Sequence, residues 1–330
     1  MQKPAVLLLA HGTPDRIEEI PAYLANVTSG RPLPPAVVAE IQHRYSLIGR
    51  SPLTEITMRQ SALISQELGL PTYVGMRNWK PYIRDTVLQM AADGITHAVA
   101  ICLAPHNSST SVGLYRRAVM GETGKAPFTV DFVSEWHAEP LLIRAFSEKL
   151  RDGWSRACLD ANAPVPVLFT AHSVPLRTVA APASATGGPS DGPYPTRGDD
   201  YERQTRETAA LVAAQVPEIG PWRFAFQSQG MSGGEWLGPT VEDTINSLRD
   251  AGHGGVFVQP VGFVCDHVEI LFDVDILFRQ FADARGMKLY RAESLNDSPL
   301  FVRAIADLAR ARFAALERSC SSGIETERIS

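Results

Sequence analysis

Short apolar runs alternate along this chain with longer stretches whose apolar positions recur at helical spacing. The runs predict strands at 5–10, 72–75, 97–104, 128–133, 165–170, 222–227, 255–262 and 288–292. Between them the pattern predicts helices at 54–69, 80–93, 138–152, 201–215, 239–251, 266–284 and 298–316. Alternating strand and helix is the signature of an α/β fold, a parallel sheet covered by helices. Four strands fall in each half. At 330 residues the chain is too long for one typical core. We therefore expect an N-terminal lobe over 1–155, a C-terminal lobe over 156–317 and a frayed tail over 318–330. Two stretches rich in Pro, Gly, Ser and Ala, 24–36 and 179–198, read as loops; the second is either a connector or a flap over a cleft.

The halves echo each other. "LLLAHGTP" at 7–14 and "LFTAHSVP" at 168–175 both end an apolar run in Ala-His-x-x-Pro, an offset of 161 between His11 and His172. Pro81, Asp85, Thr86 and Gly94 recur as Pro239, Asp243, Thr244 and Gly252 at an offset of 158. Two independent series at nearly one offset point to a duplicated lobe. Ligands of open α/β sheets bind outside the carboxyl ends of strands, so duplication would set His11 and His172 at corresponding strand ends. Alone, each is ordinarily a half-buried histidine bonded to a loop carbonyl.

Composition narrows the classes. With 45% hydrophobic and 20% charged residues and a net charge of −5, the chain offers no electrostatic reason to bind nucleic acid. The run Ala5–Ala10 is interrupted by His11, Gly12 and Pro14, too short for a signal segment, and no run approaches the ~20 apolar residues of a membrane span. A cytoplasmic protein is expected, and no feature demands an oligomer, so a monomer is too. Cys102, Cys158, Cys265 and Cys320 are widely spaced without C-x-x-C, which predicts no zinc knuckle and no iron–sulfur cluster. Cys102 and Cys265 read as small buried hydrophobes.

The segment "VGFVCDHVEILFDVDILF" at 261–278 carries the most chemistry. Asp266 as N-cap and Glu269 at N3 would form a capping box. Against that, Glu269 and Asp273 lie four apart on one helical face, where like charges repel. An acidic row beginning beside His267 suits a cation. Paired with His172, Glu269 would offer imidazole and carboxylate to a divalent first-row metal such as Fe(II), a transient rather than a structural site. "HRYSLIGR", "SPL", "GMRNWKPY" and "QSQGMSGGEWLGPT" read as loops at strand ends, with Arg, Tyr, Ser and Trp for a flat anionic ligand. Neither a Walker motif nor G-x-G-x-x-G is present.

With "ICLAPHNSSTSV", "GDDYERQTRET", "FQSQGMSGGEWLGP" and "PVGFVCDHVEILFDVDI", these stretches resemble the ferrochelatase family over nearly the whole chain. The resemblance implies two similar Rossmann-like lobes with a porphyrin cleft between them, and insertion of Fe(II), as a substrate, without a permanently bound cofactor. It implies that His172 handles metal and proton, that Glu269 is its partner carboxylate, and that Asp273 belongs to an acidic row leading to that pair. His11 stands where the coproporphyrin III enzymes of Gram-positive type carry a tyrosine, and becomes a lower-face partner to His172. Arg44, Tyr45, Ser51 and Tyr115 match porphyrin and propionate contacts, and the Gly30-Arg31 loop resembles the coproporphyrin type. The chain departs from the family pattern at Thr28 and Ser29, at Leu277 in place of a third acid, and in the length of the loop after His172. Coproporphyrin III with four propionates and protoporphyrin IX with two are the competing substrates. A cobalt or nickel chelatase and a non-catalytic haem or porphyrin carrier are the other readings.

Overall fold

A computed structural model describes residues 3–124, 126–179, 199–229 and 234–326. Among them, eight strands form two parallel sheets: β1 (Pro4–Ala10), β2 (Thr72–Met76), β3 (His97–Cys102) and β4 (Thr129–Val133), then β5 (Val167–His172), β6 (Trp222–Gln227), β7 (Gly255–Pro260) and β8 (Lys288–Arg291). The orders, β2-β1-β3-β4 and β6-β5-β7-β8, are the same topology. Each expected strand forms within two residues of its predicted start. The central strands are apolar without alternation because both faces of each sheet are covered: every residue of β7 and residues 5–10 of β1 are buried.

The duplication extends to detail. The Met76 amide donates to the Pro81 carbonyl (2.7 Å) and the Phe226 amide to the Pro239 carbonyl (2.8 Å), each across a cis Xaa-Pro bond. Leu103 N bonds Leu9 O (2.9 Å), and Val261 N bonds Thr170 O (2.8 Å), again one position in two lobes.

The helices are α1 (Ile20–Val27), α2 (Pro35–Ile48), α3 (Leu53–Leu68), α4 (Ile83–Ala92), α5 (Val112–Thr123), α6 (Pro140–Ala161), α7 (Leu176–Val179), α8 (Tyr201–Ala214), α9 (Val241–Asp250), α10 (Arg279–Asp283) and α11 (Pro299–Thr326). Two of them overturn the loop expected at 24–36: α1 runs through Val27 and α2 starts at Pro35. Pro35 sits at the first helical position, where its missing N–H is no loss, so a proline-rich stretch marks a helix start. "HRYSLIGR" is likewise the end of α2 rather than a loop. α11 continues to Thr326, past the start of the expected tail. Of the loop at 179–198, residues 180–198 lie outside the described residues, as do 230–233 of the Gly-rich stretch.

The expected boundary at 155/156 falls inside α6, which packs on β7 and β8 of the second sheet, while α11 returns to pack on α3 and β3 of the first. One continuous core results, with Val6, Leu8 and Ile101 of one lobe and Phe169, Phe257 and Phe301 of the rest in a single cluster. The two sheets are thereby joined through one core. Among the described residues, no helix is long and apolar enough to cross a membrane.

Candidate active site

A cavity of about 480 Å³ lies between the carboxyl ends of the two sheets, within the ~300–1,000 Å³ of small-molecule sites. Its walls include His11, Tyr45, Ser51 and Tyr115 from the first lobe and His172, His267 and Glu269 from the second. Both Ala-His repeats therefore reach one space.

His172 is the last residue of β5, and its backbone carbonyl accepts from the Tyr201 hydroxyl (2.9 Å). Its Nδ1 meets the Ser173 carbonyl, which can only accept, so Nδ1 carries the proton. Nε2 is left to face Glu269 Oε1 at 3.4 Å. The other carboxylate oxygen, Oε2, lies 3.2 Å from His267 Nε2. Burial alone would lower the His172 pKa, but the Glu269 charge and hydrogen bond outweigh it and hold it above the ordinary histidine value. Burial likewise opposes the Glu269 charge, yet the two imidazoles hold its carboxyl well below the usual range. The pair is a coupled acid–base unit.

The capping box expected of Asp266 and Glu269 does not form. Residues Glu269–Phe278 wind as a π-helix, with Val268 at its N-cap. Asp266 instead accepts from Ser294 Oγ (2.7 Å) and Asn296 Nδ2 (2.9 Å), partners 28 and 30 residues away. Arg291, at the end of β8, grips Asp275 through two 2.8 Å bonds and reaches Asp266 Oδ1 at 3.4 Å. This clamp at both ends of the segment frees Glu269 to point into the cavity. π-Helical winding is rare and recurs at functional sites.

Asp273 does not join His172 and Glu269 in one ligand set. Its carboxylate bonds the Ser228 hydroxyl and lies 3.9 Å from Arg44 Nη1. Burial, against that hydroxyl, pushes its carboxyl up to about 6. Leu277, four residues further, is exposed. Asp273 thus stands between the inner carboxylate and an apolar outer end.

The other predicted residues divide. Tyr45 is buried and its hydroxyl bonds Thr13 Oγ1 (2.9 Å); Ser51 Oγ is buried with no partner; the buried Tyr115 ring lies under the Arg77 guanidinium at 5.3 Å. His11 has Asn78 Nδ2 3.0 Å from its Nε2, and burial followed by the Arg77 charge lowers its pKa to about 4, so the ring is neutral. Two arginines are not at the cavity wall. Arg31 is exposed, its Nε bonded to the Thr28 carbonyl (3.2 Å). Arg44 bonds Glu40 (3.0 Å) and lies over the Phe272 ring at 5.0 Å, because its face of α2 packs on the π-helix.

A model of the ferrochelatase family, described as "Ferrochelatase", matches residues 3–313. The chain belongs to the ferrochelatase family. It is an enzyme whose substrates are a porphyrin and iron. A ferrochelatase from Acidobacterium capsulatum is 55% identical over 318 residues, 96% of this chain and 97% of the relative. A coproporphyrin III ferrochelatase from a Geobacillus species is 32% identical over 321 residues, 94% of this chain and 98% of the relative. Among solved structures, SirB from Bacillus subtilis with Fe3+ shares the fold, with a TM-score of 0.53 at 10% identity, covering 94% of this chain and 95% of that one.

Several ferrochelatase cavity residues escaped the sequence reading, Tyr23, His106, Tyr201 and Phe263, while Arg77 and Trp236 figured there only as part of their segments. His106 had a signal, since "APHNSS" follows an apolar strand as "AHGTP" and "AHSVP" do. It is 2% exposed, with Nε2 bonded to Thr208 Oγ1 (2.9 Å), and burial, then the neighbouring His137, push its pKa down to about 3. In the unfolded chain it titrates near 6.5. The folded state therefore binds fewer protons below that pH, and stability is full above pH 6.5 and declines as pH falls towards 3. This one group should cost about 2 kcal/mol by about pH 5. Thermal melts of the wild type and His106→Gln at neutral pH and near pH 5 check it. The variant keeps a hydrogen-bonding side chain and should lose part of the acid sensitivity; equal sensitivity in both would refute the assignment.

Proposed function

We propose that this ferrochelatase inserts Fe(II) into coproporphyrin III to give iron coproporphyrin III, with His172 as proton acceptor and Glu269 as the carboxylate that receives Fe(II). The observation that carries the roles is the His172 Nε2–Glu269 Oε1 approach of 3.4 Å inside a cavity that also holds His11. Two pyrrole N–H protons must leave as one Fe(II) enters, so the site needs a base on the macrocycle and a hard oxygen donor beside it. In the neutral ring, Nε2, with Nδ1 fixed on a carbonyl, is that base, and the Glu269 carboxylate stabilises the imidazolium it becomes. Glu269 strips water from Fe(II), and Asp273 marks the outward direction along the π-helix. A macrocycle held out of plane would expose its nitrogen lone pairs, distortion drawn from binding energy elsewhere. His11, neutral on the first-lobe wall, supplies a nitrogen donor towards the opposite face. No resident cofactor is required, and one chain completes the cavity, so a monomer suffices.

Coproporphyrin III is favoured by the Gly30-Arg31 loop and by the relative that bears that substrate in its name. Protoporphyrin IX is the second reading, because the 55% identical relative is named ferrochelatase with no porphyrin specified. Anaerobic Fe(II) insertion, followed as loss of free-base fluorescence with both porphyrins side by side, separates them. Higher kcat/KM on coproporphyrin III is expected; a preference for protoporphyrin IX would overturn the choice of substrate and leave the chemistry in place.

A further inference from the structure

Among the described residues, one guanidinium of the cavity wall, that of Arg77, has no carboxylate paired with it. Arg77 follows β2, its backbone amide tied to the Ala10 carbonyl at 3.1 Å, so its Cα is fixed beside the end of β1. The side chain lines the cavity, and its Nε is shielded from solvent and bonds nothing. Its neighbours are the Tyr115 ring, at 5.3 Å from the guanidinium carbon, and the buried Cys102. The carboxylate of the cavity, Glu269, is taken by His172 and His267. A desolvated donor without a partner is costly, and a cation there asks for an anion from outside the chain. Arg177 and Arg31 are exposed and Arg44 is paired with Glu40, whereas Arg77 is only partly exposed and its Nε is shielded.

We infer that Arg77 binds a propionate carboxylate on the edge of the macrocycle held deep in the cavity, and so selects for a porphyrin that carries a carboxylate there. This rests on the coproporphyrin III reading. Coproporphyrin III bears a propionate on each of its four pyrroles, so every edge offers a carboxylate. Protoporphyrin IX bears propionates on two adjacent pyrroles and vinyl groups on the other two. With its propionates turned to solvent, it would leave Arg77 facing hydrocarbon. A planar guanidinium suits a carboxylate better than an ammonium would.

The test uses the full-length chain and its Arg77→Met and Arg77→Lys variants. Affinity for each metal-free porphyrin is measured by fluorescence titration, then KM and kcat for insertion. Arg77→Met should weaken coproporphyrin III binding by about tenfold or more while protoporphyrin IX changes by no more than about twofold. Arg77→Lys, which keeps the charge and loses the fork, should recover part of the loss and guards against a Met variant that fails to fold. Equal losses on both porphyrins would make Arg77 a packing residue and overturn the inference. So would a coproporphyrin III preference that survives intact in Arg77→Met. A wild type that itself prefers protoporphyrin IX would refute the coproporphyrin III reading, and this inference with it.

Discussion

His172→Ala should lower iron insertion by about a thousandfold or more, while metal-free porphyrin binds with nearly unchanged affinity. The variant removes the Nε2 acceptor and leaves Glu269 with a carboxylate oxygen that has lost its partner at 3.4 Å. Porphyrin affinity should survive because most of the wall is independent of this ring: Tyr45, Ser51, Tyr115, Arg77 and Trp236 all come from other segments. Single-turnover insertion under anaerobic conditions measures the first quantity and fluorescence titration without metal the second. A loss confined to binding would make His172 a wall residue. Normal turnover would remove it from the chemistry altogether, and Glu269 with His267, already in contact at 3.2 Å, would become the acid–base pair to examine.

The sheets were legible because burial on both faces writes a continuous apolar run, and the repeat at offsets of 161 and 158 foretold two lobes of equal topology. What the pattern hid was structure made by distant partners. Asp266 looks like an N-cap to any local rule, and Ser294, Asn296 and Arg291 recruit it instead. α5 contains Gly113 and Gly121 and was not foreseen, since both residues depress helix propensity and it forms by packing Val112, Tyr115 and Val119 inwards. α6 and α11 each cover the other lobe's sheet, which no period along the chain can reveal.

The same limit divides the site. His172 and Glu269, 97 positions apart, were paired from residue type and the duplicated strand end, and they do meet. Arg44 was placed on porphyrin by position in a motif, but the direction of its side chain is set by the π-helix that α2 packs against. Arg77 shows the converse. Its segment was noted for an arginine that could take a carboxylate, yet the burial of its unpaired Nε is set by the fold around it.

Gly262→Ala should reduce insertion by about a hundredfold and lower stability by about 1–3 kcal/mol, without touching any group that reacts. A Cβ at this position would come 2.8 Å from Ala171 Cα, 2.9 Å from Ala171 Cβ and 3.2 Å from His172 N. The first and last of these are backbone, which cannot yield as a flexible side chain would. Both Val261 N and Gly262 N bond the Thr170 carbonyl, at 2.8 and 3.2 Å, so the two strand ends cannot part without losing those bonds. Strain therefore falls on the end of β5, and it moves Nε2 relative to Glu269. At the position 158 residues earlier, the first lobe carries Ala104, so the shared topology does not itself require glycine. The close approach belongs to the lobe that holds the His172–Glu269 pair. A melting curve and single-turnover insertion on the same preparation decide the matter. A lower melting temperature with full activity would mean that the strand absorbs the methyl group away from His172, and that Gly262 serves packing alone.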